Sequence, residues 1–221
     1  MTDQEILSRV DHTLLKASAP WEEVKTLCDE AARYKTASVC IPPAYVGPVF
    51  GEYKNSLVIC TVIGFPLGYT YTAVKALETE QALKEGASEI DMVINITDVK
   101  NARFELVLDE IKTLKKICGD KILKVIIETC YLTEEEKIRL CGIVTGAGAD
   151  FIKTSTGFGT VGATLADISL FRQHVGPDVK IKAAGGIKTR EDLEAFIGAG
   201  ASRIGTSSAV KILAGGSAGG Y

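Results

Sequence analysis

Four polar residues interrupt runs that are otherwise apolar: Asp91 in EIDMVIN, Lys124 in ILKVIIET, Lys153 in DFIKTST and Lys182 in VKIKAAG. A lysine inside a strand covered on both faces is costly unless it is paired or has a chemical task. One such lysine can end its strand and snorkel its amine to solvent. Three lysines and an aspartate on four successive runs point instead to side chains converging on one small interior volume. Two ammonium groups held close together repel, so one gives up its proton more readily. In a dry pocket it then becomes a neutral amine nucleophile near neutral pH. That is the requirement for Schiff-base chemistry on a carbonyl substrate, with Asp91 as the carboxylate that relays protons and offsets positive charge.

A second group of residues lies just after the last three apolar runs, in STGFG (155–159), AGGI (184–187) and GTSS (205–208). Glycine lets backbone N–H groups approach an anion, and serine adds hydroxyl donors. Gly157, Gly185, Gly186, Gly205, Ser207 and Ser208 are thus candidates for holding a phosphate, or these are simply tight turns between strand and helix. No lysine or arginine is read within the glycine loops themselves.

Eight β-rich runs must position these groups: 10–15, 37–42, 57–65, 89–95, 122–129, 150–156, 179–185 and 202–208. Their spacing is about 28 residues, enough for one strand, one helix and two short loops. Pro20 opens one helical stretch. Thr133 with Glu136 and Thr189 with Asp192 have capping-box spacing, and Gly198 and Gly200 mark a helix end. Several runs are nearly continuously apolar, the mark of parallel strands covered on both faces. The expected fold is α/β: a single-domain (β/α)8 TIM barrel over residues 1–221, with a short N-terminal helix closing its bottom and a mobile, glycine-rich tail over 214–221. An open doubly wound sheet is the alternative, but no GxGxxG follows the first run. In a closed barrel the active site lies at the C-terminal strand ends, and phosphate commonly binds after strands 7 and 8.

The 221 residues, 46% hydrophobic and 24% charged, have the balance of a globular domain. The net charge is −3 and basic residues are scattered, which argues against nucleic acid. No apolar run approaches the roughly 20 residues of a membrane helix, and no apolar leader precedes the first run. A cytoplasmic location is expected. Six cysteines without a CxxC pair and only two histidines, His12 and His174, argue against zinc and against a histidine-based triad.

DHTLLK, SVCIPP, TVIGFPLG, EIDMVIN, LKVIIET, FIKTSTGF, KIKAAGGI and SRIGTSS together resemble the deoxyribose-phosphate aldolase family from Asp11 to about Lys211. The resemblance implies a class I aldolase that needs neither metal nor cofactor. It would reversibly cleave 2-deoxy-D-ribose 5-phosphate to acetaldehyde and D-glyceraldehyde 3-phosphate. Lys153 would form the Schiff base, Lys182 would lower its pKa and move protons, and Asp91 would relay protons through water. Lys124 would border the pocket, and Cys40 would lie near the substrate channel or be a buried structural thiol. Tyr221, which physics alone reads as a disordered end, would reach into the active site. Partners would be small aldehydes and sugar phosphates, with a homodimer allowed and neither nucleic acid nor membrane.

The sequence departs from the usual family pattern at Tyr71 in GYTYTAVK, at Val161 before Gly162 and at Ala209 in SSAVK. These positions bear on acceptor specificity and phosphate affinity. Two rival readings are a sugar-phosphate isomerase or epimerase without a covalent intermediate, and a catalytically silent barrel that senses sugar phosphates. Neither has a use for the Lys153–Lys182 pair.

Overall fold

In the computed structural model, which describes residues 1–216, eight parallel strands close into a barrel in chain order. They are β1 (Val10–Thr13), β2 (Ser38–Ile41), β3 (Ile59–Ile63), β4 (Glu89–Val93), β5 (Ile122–Ile126), β6 (Phe151–Lys153), β7 (Lys180–Ala184) and β8 (Arg203–Thr206). Pairing of β1 with β8, Val10 opposite Ile204, closes the ring and excludes the open-sheet alternative. Helices alternate with the strands: α1 (Asp3–Leu7), α2 (Trp21–Tyr34), α3 (Val46–Tyr53), α4 (Thr72–Lys84), α5 (Ile96–Lys100), α6 (Phe104–Cys118), α7 (Glu134–Gly146), α8 (Leu165–His174), α9 (Arg190–Ala199) and α10 (Ala209–Leu213).

Side chains alternate along each strand, so every second one faces the helices. Val39, Ile90, Val125, Ile152 and Ile204 do so and join Leu114, Leu140, Phe171 and Leu193 from the helices in one continuous core. The opposite face of each strand lines the barrel interior. There the nearly continuous apolar pattern breaks, and Asp11, Glu89, Asp91, Lys124, Lys153 and Lys182 lie buried.

Local signals in the chain set most boundaries. Thr133 and Thr189 cap α7 and α9, with Glu136 and Asp192 completing both capping boxes, and Gly200 ends α9 at φ 121°. Helix α1 stands ahead of β1, buries Ile6 and Leu7, and packs on α10. Pro20 is the N-cap of α2 instead of its first helical residue, held in the extended conformation that ends the preceding loop. The fifth and sixth strands are shorter than their apolar runs, ending at Ile126 and Lys153. Glu128 takes a left-handed conformation, φ 52°, which turns the chain out of the ladder. The expected mobile tail begins with a turn hydrogen-bonded onto α10, Gly216 N–H donating to the Lys211 carbonyl. Residues 217–221 lie outside the described residues.

Candidate active site

Strand register decides which polar side chains meet. Asp91 is level with Lys124, and Lys153 is level with Lys182. Because Lys124 pairs with Phe151, Lys153 stands two residues nearer the C-terminal mouth. The two levels are joined by one carboxylate. Asp91 Oδ2 accepts from Lys153 Nζ and from Lys182 Nζ, each at 2.7 Å, and Asp91 Oδ1 accepts from Lys124 Nζ at 2.9 Å. All three lysines and the aspartate picked out in the sequence are therefore in direct contact.

Beneath them lies a continuation that the sequence reading missed. Lys182 Nζ also donates to Asp11, which in turn accepts from Arg203 and, at 2.7 Å, from the Ser38 hydroxyl. Lys124 lies 2.6 Å from Glu89 and 3.5 Å from Asp11, and Arg203 forks onto both Glu89 oxygens at 2.9 and 3.3 Å. Asp11, Glu89 and Arg203 stand at or near the starts of their runs, where a charged residue passes for a solvated strand end. The burial argument that singled out the lysines applies equally to Asp11 and Glu89, with Arg203 partly buried beside them.

The network contains four cations, Lys124, Lys153, Lys182 and Arg203, against three carboxylates, Asp11, Glu89 and Asp91. Burial pushes the Asp91 carboxyl up, but Lys124, Lys153 and Lys182 outweigh it and hold it well below the usual carboxylate range. Burial likewise works against the charge on Lys182, yet Asp11 and Asp91 keep its ammonium above the usual lysine range. Lys124 is held high in the same way, by Asp11, Asp91 and Glu89.

Lys124 and Lys182 are fully enclosed, whereas Lys153 is 3% exposed and forms the floor of a cleft at the C-terminal mouth. The walls of that cleft are the three glycine loops: Gly157, Gly185, Gly186, Gly205, Ser207 and Ser208 all line it, joined by Thr156 and Ile187. Lys188 lines it too, so the loop after β7 does bring a cation to the cleft, one residue beyond the segment read as AGGI. The loops after β6 and β7 touch backbone to backbone. A Cβ on Gly162 would fall 2.3 Å from the Gly185 carbonyl, and Ala163 N–H donates to the carbonyls of both Ala184 and Gly185.

Lys124 and Cys40 do not line the cleft. Lys124 is walled off below Asp91. Cys40, level with Cys60 in the ladder, packs with Leu15, Cys60, Val62 and Phe65. A hydrogen bond from Cys60 lowers the Cys40 thiol, while burial pushes the Cys60 thiol well up. Ala209 is buried and Val161 and Tyr71 are exposed, the last at 83%. Tyr221 lies outside the described residues. Among the described residues, two sets of possible metal donors lie close together, Cys40 with Cys60 and Asp91, and Asp11 with Cys60 and Glu89. Their carboxylates already face four cations, so a metal ion would enter against positive charge.

A closed (β/α)8 barrel that presents one lysine amine at its mouth, backed by two further lysines on shared carboxylates, is the framework of a class I aldolase. The chain belongs to the DeoC/LacD family of aldolases, whose family model matches residues 2–219. It is 60% identical to the deoxyribose-phosphate aldolase of Clostridium botulinum (strain Eklund 17B / Type B) over 221 residues, all of both chains. It is 57% identical to that of Streptococcus pyogenes serotype M4 over 213 residues, 96% of each chain. The solved deoxyribose phosphate aldolase of Aeropyrum pernix, described as a unique tetramer, superposes with a TM-score of 0.87 at 34% identity, covering 96% of this chain and 91% of that one. No helix among the described residues is long and apolar enough to cross a membrane.

Proposed function

We propose that this aldolase cleaves 2-deoxy-D-ribose 5-phosphate to acetaldehyde and D-glyceraldehyde 3-phosphate, and runs the addition in reverse, through a Schiff base on Lys153. The observation that carries the assignment of the nucleophile is that Lys153 alone of the three strand lysines reaches the cleft. It also has the fewest close carboxylates: its amine pairs directly with Asp91 alone, the Glu128 carboxyl acting on it from further off, while Lys124 and Lys182 each pair with two or more.

The amine of Lys153 adds to the C1 aldehyde of the open-chain sugar, and loss of water gives a cationic iminium. The iminium draws the C2–C3 bonding pair as the C3 hydroxyl passes its proton through water to Asp91, which can return it to the enamine carbon; the three-carbon aldehyde phosphate is released and a neutral enamine remains. Protonation of the enamine carbon and hydrolysis release acetaldehyde and free Lys153. Lys182 remains cationic throughout and supplies the fixed charge beside the reacting nitrogen. Asp91, stabilised by three cations, is a weak base at rest. It becomes a better proton acceptor as the iminium charge on the Lys153 nitrogen is lost in forming the enamine.

The phosphate is assigned to the loops after β6, β7 and β8, with Lys188 at their rim and the Ser207 and Ser208 hydroxyls among the donors. Small aldehydes and sugar phosphates are thus the partners, and a homodimer and a cytoplasmic location remain part of this reading. The deciding test is mass spectrometry after acetaldehyde and borohydride. A stable two-carbon adduct on Lys153 is expected, and an adduct confined to any other lysine overturns the assignment. An isomerase or a silent barrel would give no adduct.

A further inference from the structure

Glu128 is a buried acid that the chemistry above leaves without a task. It is 2% exposed and one of the few non-glycine residues with positive φ, 52°. Such a conformation is strained for a residue with a Cβ, and it persists only where the surroundings compensate. The compensation here is directional. On either side of Glu128 the chain keeps one bond to the end of β6 and one to the residue after it, Ile127 N–H to the Lys153 carbonyl at 3.1 Å and Thr129 N–H to the Thr154 carbonyl at 3.0 Å. Between these two bonds the left-handed residue turns its side chain toward the loop that follows Lys153.

The carboxylate then takes hold of that loop at one residue. Thr156 donates its N–H at 3.2 Å to both Glu128 oxygens and donates its hydroxyl to one of them. The same hydroxyl oxygen accepts the Phe158 N–H at 3.0 Å. Gly159 completes the grip, since a Cβ there would stand 3.1 Å from the Glu128 carboxyl and 2.8 Å from Cys130 Sγ. Thr156 and Gly157 are wall residues of the cleft. The acid thus sits behind the wall and fixes its backbone without touching the cleft.

We propose that Glu128 is a positioning residue that holds the loop over 156–159 in the shape that receives the phosphate of the substrate, and that phosphate binding depends on it far more than Schiff-base formation at Lys153 does. The proposal rests on the phosphate assignment made above. It accounts for a strained, buried acid, since a carboxylate brings only acceptors, and the N–H and hydroxyl of Thr156 both donate to it.

The test separates loop from amine by comparing 2-deoxyribose 5-phosphate, unphosphorylated 2-deoxyribose, and borohydride trapping of acetaldehyde. Glu128→Gln keeps the side-chain shape but presents an amide NH2 where an acceptor is needed. Its KM for the phosphorylated sugar should rise about tenfold, the loss of roughly one buried hydrogen bond. Its kcat/KM for the unphosphorylated sugar and its trapping rate should change far less, because the Lys153 charge acts on this carboxyl less than Thr156 does. Gly159→Ala, which presses on the carboxyl from the other side of the loop, should give the same split, and it stands in should Glu128→Gln fail to fold. Trapping that falls in step with cleavage would mean that Glu128 acts on Lys153, and would overturn the proposal. So would an unchanged KM in both variants while Ser207→Asp raises it. If Ser207→Asp also leaves that KM unchanged, the phosphate assignment itself falls.

Discussion

Lys153 and Lys182 share one oxygen of Asp91 yet have unequal tasks, and substitution separates them. Lys153→Leu should leave the barrel folded and abolish both sugar cleavage and borohydride trapping, which mass spectrometry and circular dichroism together would establish. Lys182→Leu should leave Lys153 in place but shift the pH–rate profile of cleavage to higher pH. Lys182 is kept charged by Asp11 and Asp91, so its removal takes away a fixed positive charge, and the neighbouring amine then holds its proton to higher pH. Each unit of displacement means about tenfold less free amine at neutral pH, or about 1.4 kcal/mol. A profile that loses height without moving would show that Lys182 only transfers protons. These residues were legible in the sequence because charge inside an apolar run is conspicuous. Asp11 and Arg203 were not, because only closure of the ring brings these strand starts together and draws them into the interior. Glu128 was hidden for another reason: nothing in the string IIET announces a left-handed residue.

The elements differ in how far sequence foretells them. Capping is local chemistry over four residues, so Thr133 and Thr189 mark their helices directly. Thr133→Ala should cost about 1 kcal/mol, read as a drop in thermal midpoint with activity retained. Strand ends are set by neighbours. The run DFIKTST looks like one strand, but its last residues leave the ladder to form the cleft wall. The wall is held by glycines at close backbone contact, so Gly162→Ala, whose Cβ would overlap the Gly185 carbonyl, should prise the loops after β6 and β7 apart. Overpacking of this kind costs about 1–3 kcal/mol. Kinetic assays should also find weaker binding of the phosphorylated sugar.

For the molecule as a whole, the buried ion network ties stability to pH at both extremes. Asp11 and Asp91 are held well below the usual carboxylate range against the cost of burial. Their contribution is complete above the unfolded value of about 3.9 and is lost as pH falls toward the folded values. Lys124 and Lys182 are held above the usual lysine range. Theirs is complete below about 10.4 and is lost as pH rises beyond it. The thermal midpoint should therefore form a plateau from about pH 5 to 10 and fall on both sides, as scanning calorimetry would record. Asp11→Asn should lower that plateau and flatten its acid side. Leaving buried cations unmatched costs roughly 3–5 kcal/mol.

The same network has a consequence in time. Asp11 finds Lys182 and Arg203, which lie 171 and 192 residues further along the chain. Until β1 meets β8, the cations of the last two strands have no counter-charge from the first. A partly closed barrel would have to keep them in water, unable to dry its interior. Docking of the first strand is thus expected to come after the transition state for folding, since contacts of such long range form slowly. Mutations at Asp11 should speed unfolding far more than they slow refolding, and stopped-flow chevrons would record this as φ-values near zero. The residues that arm the amine would also make the ring close all at once or not at all.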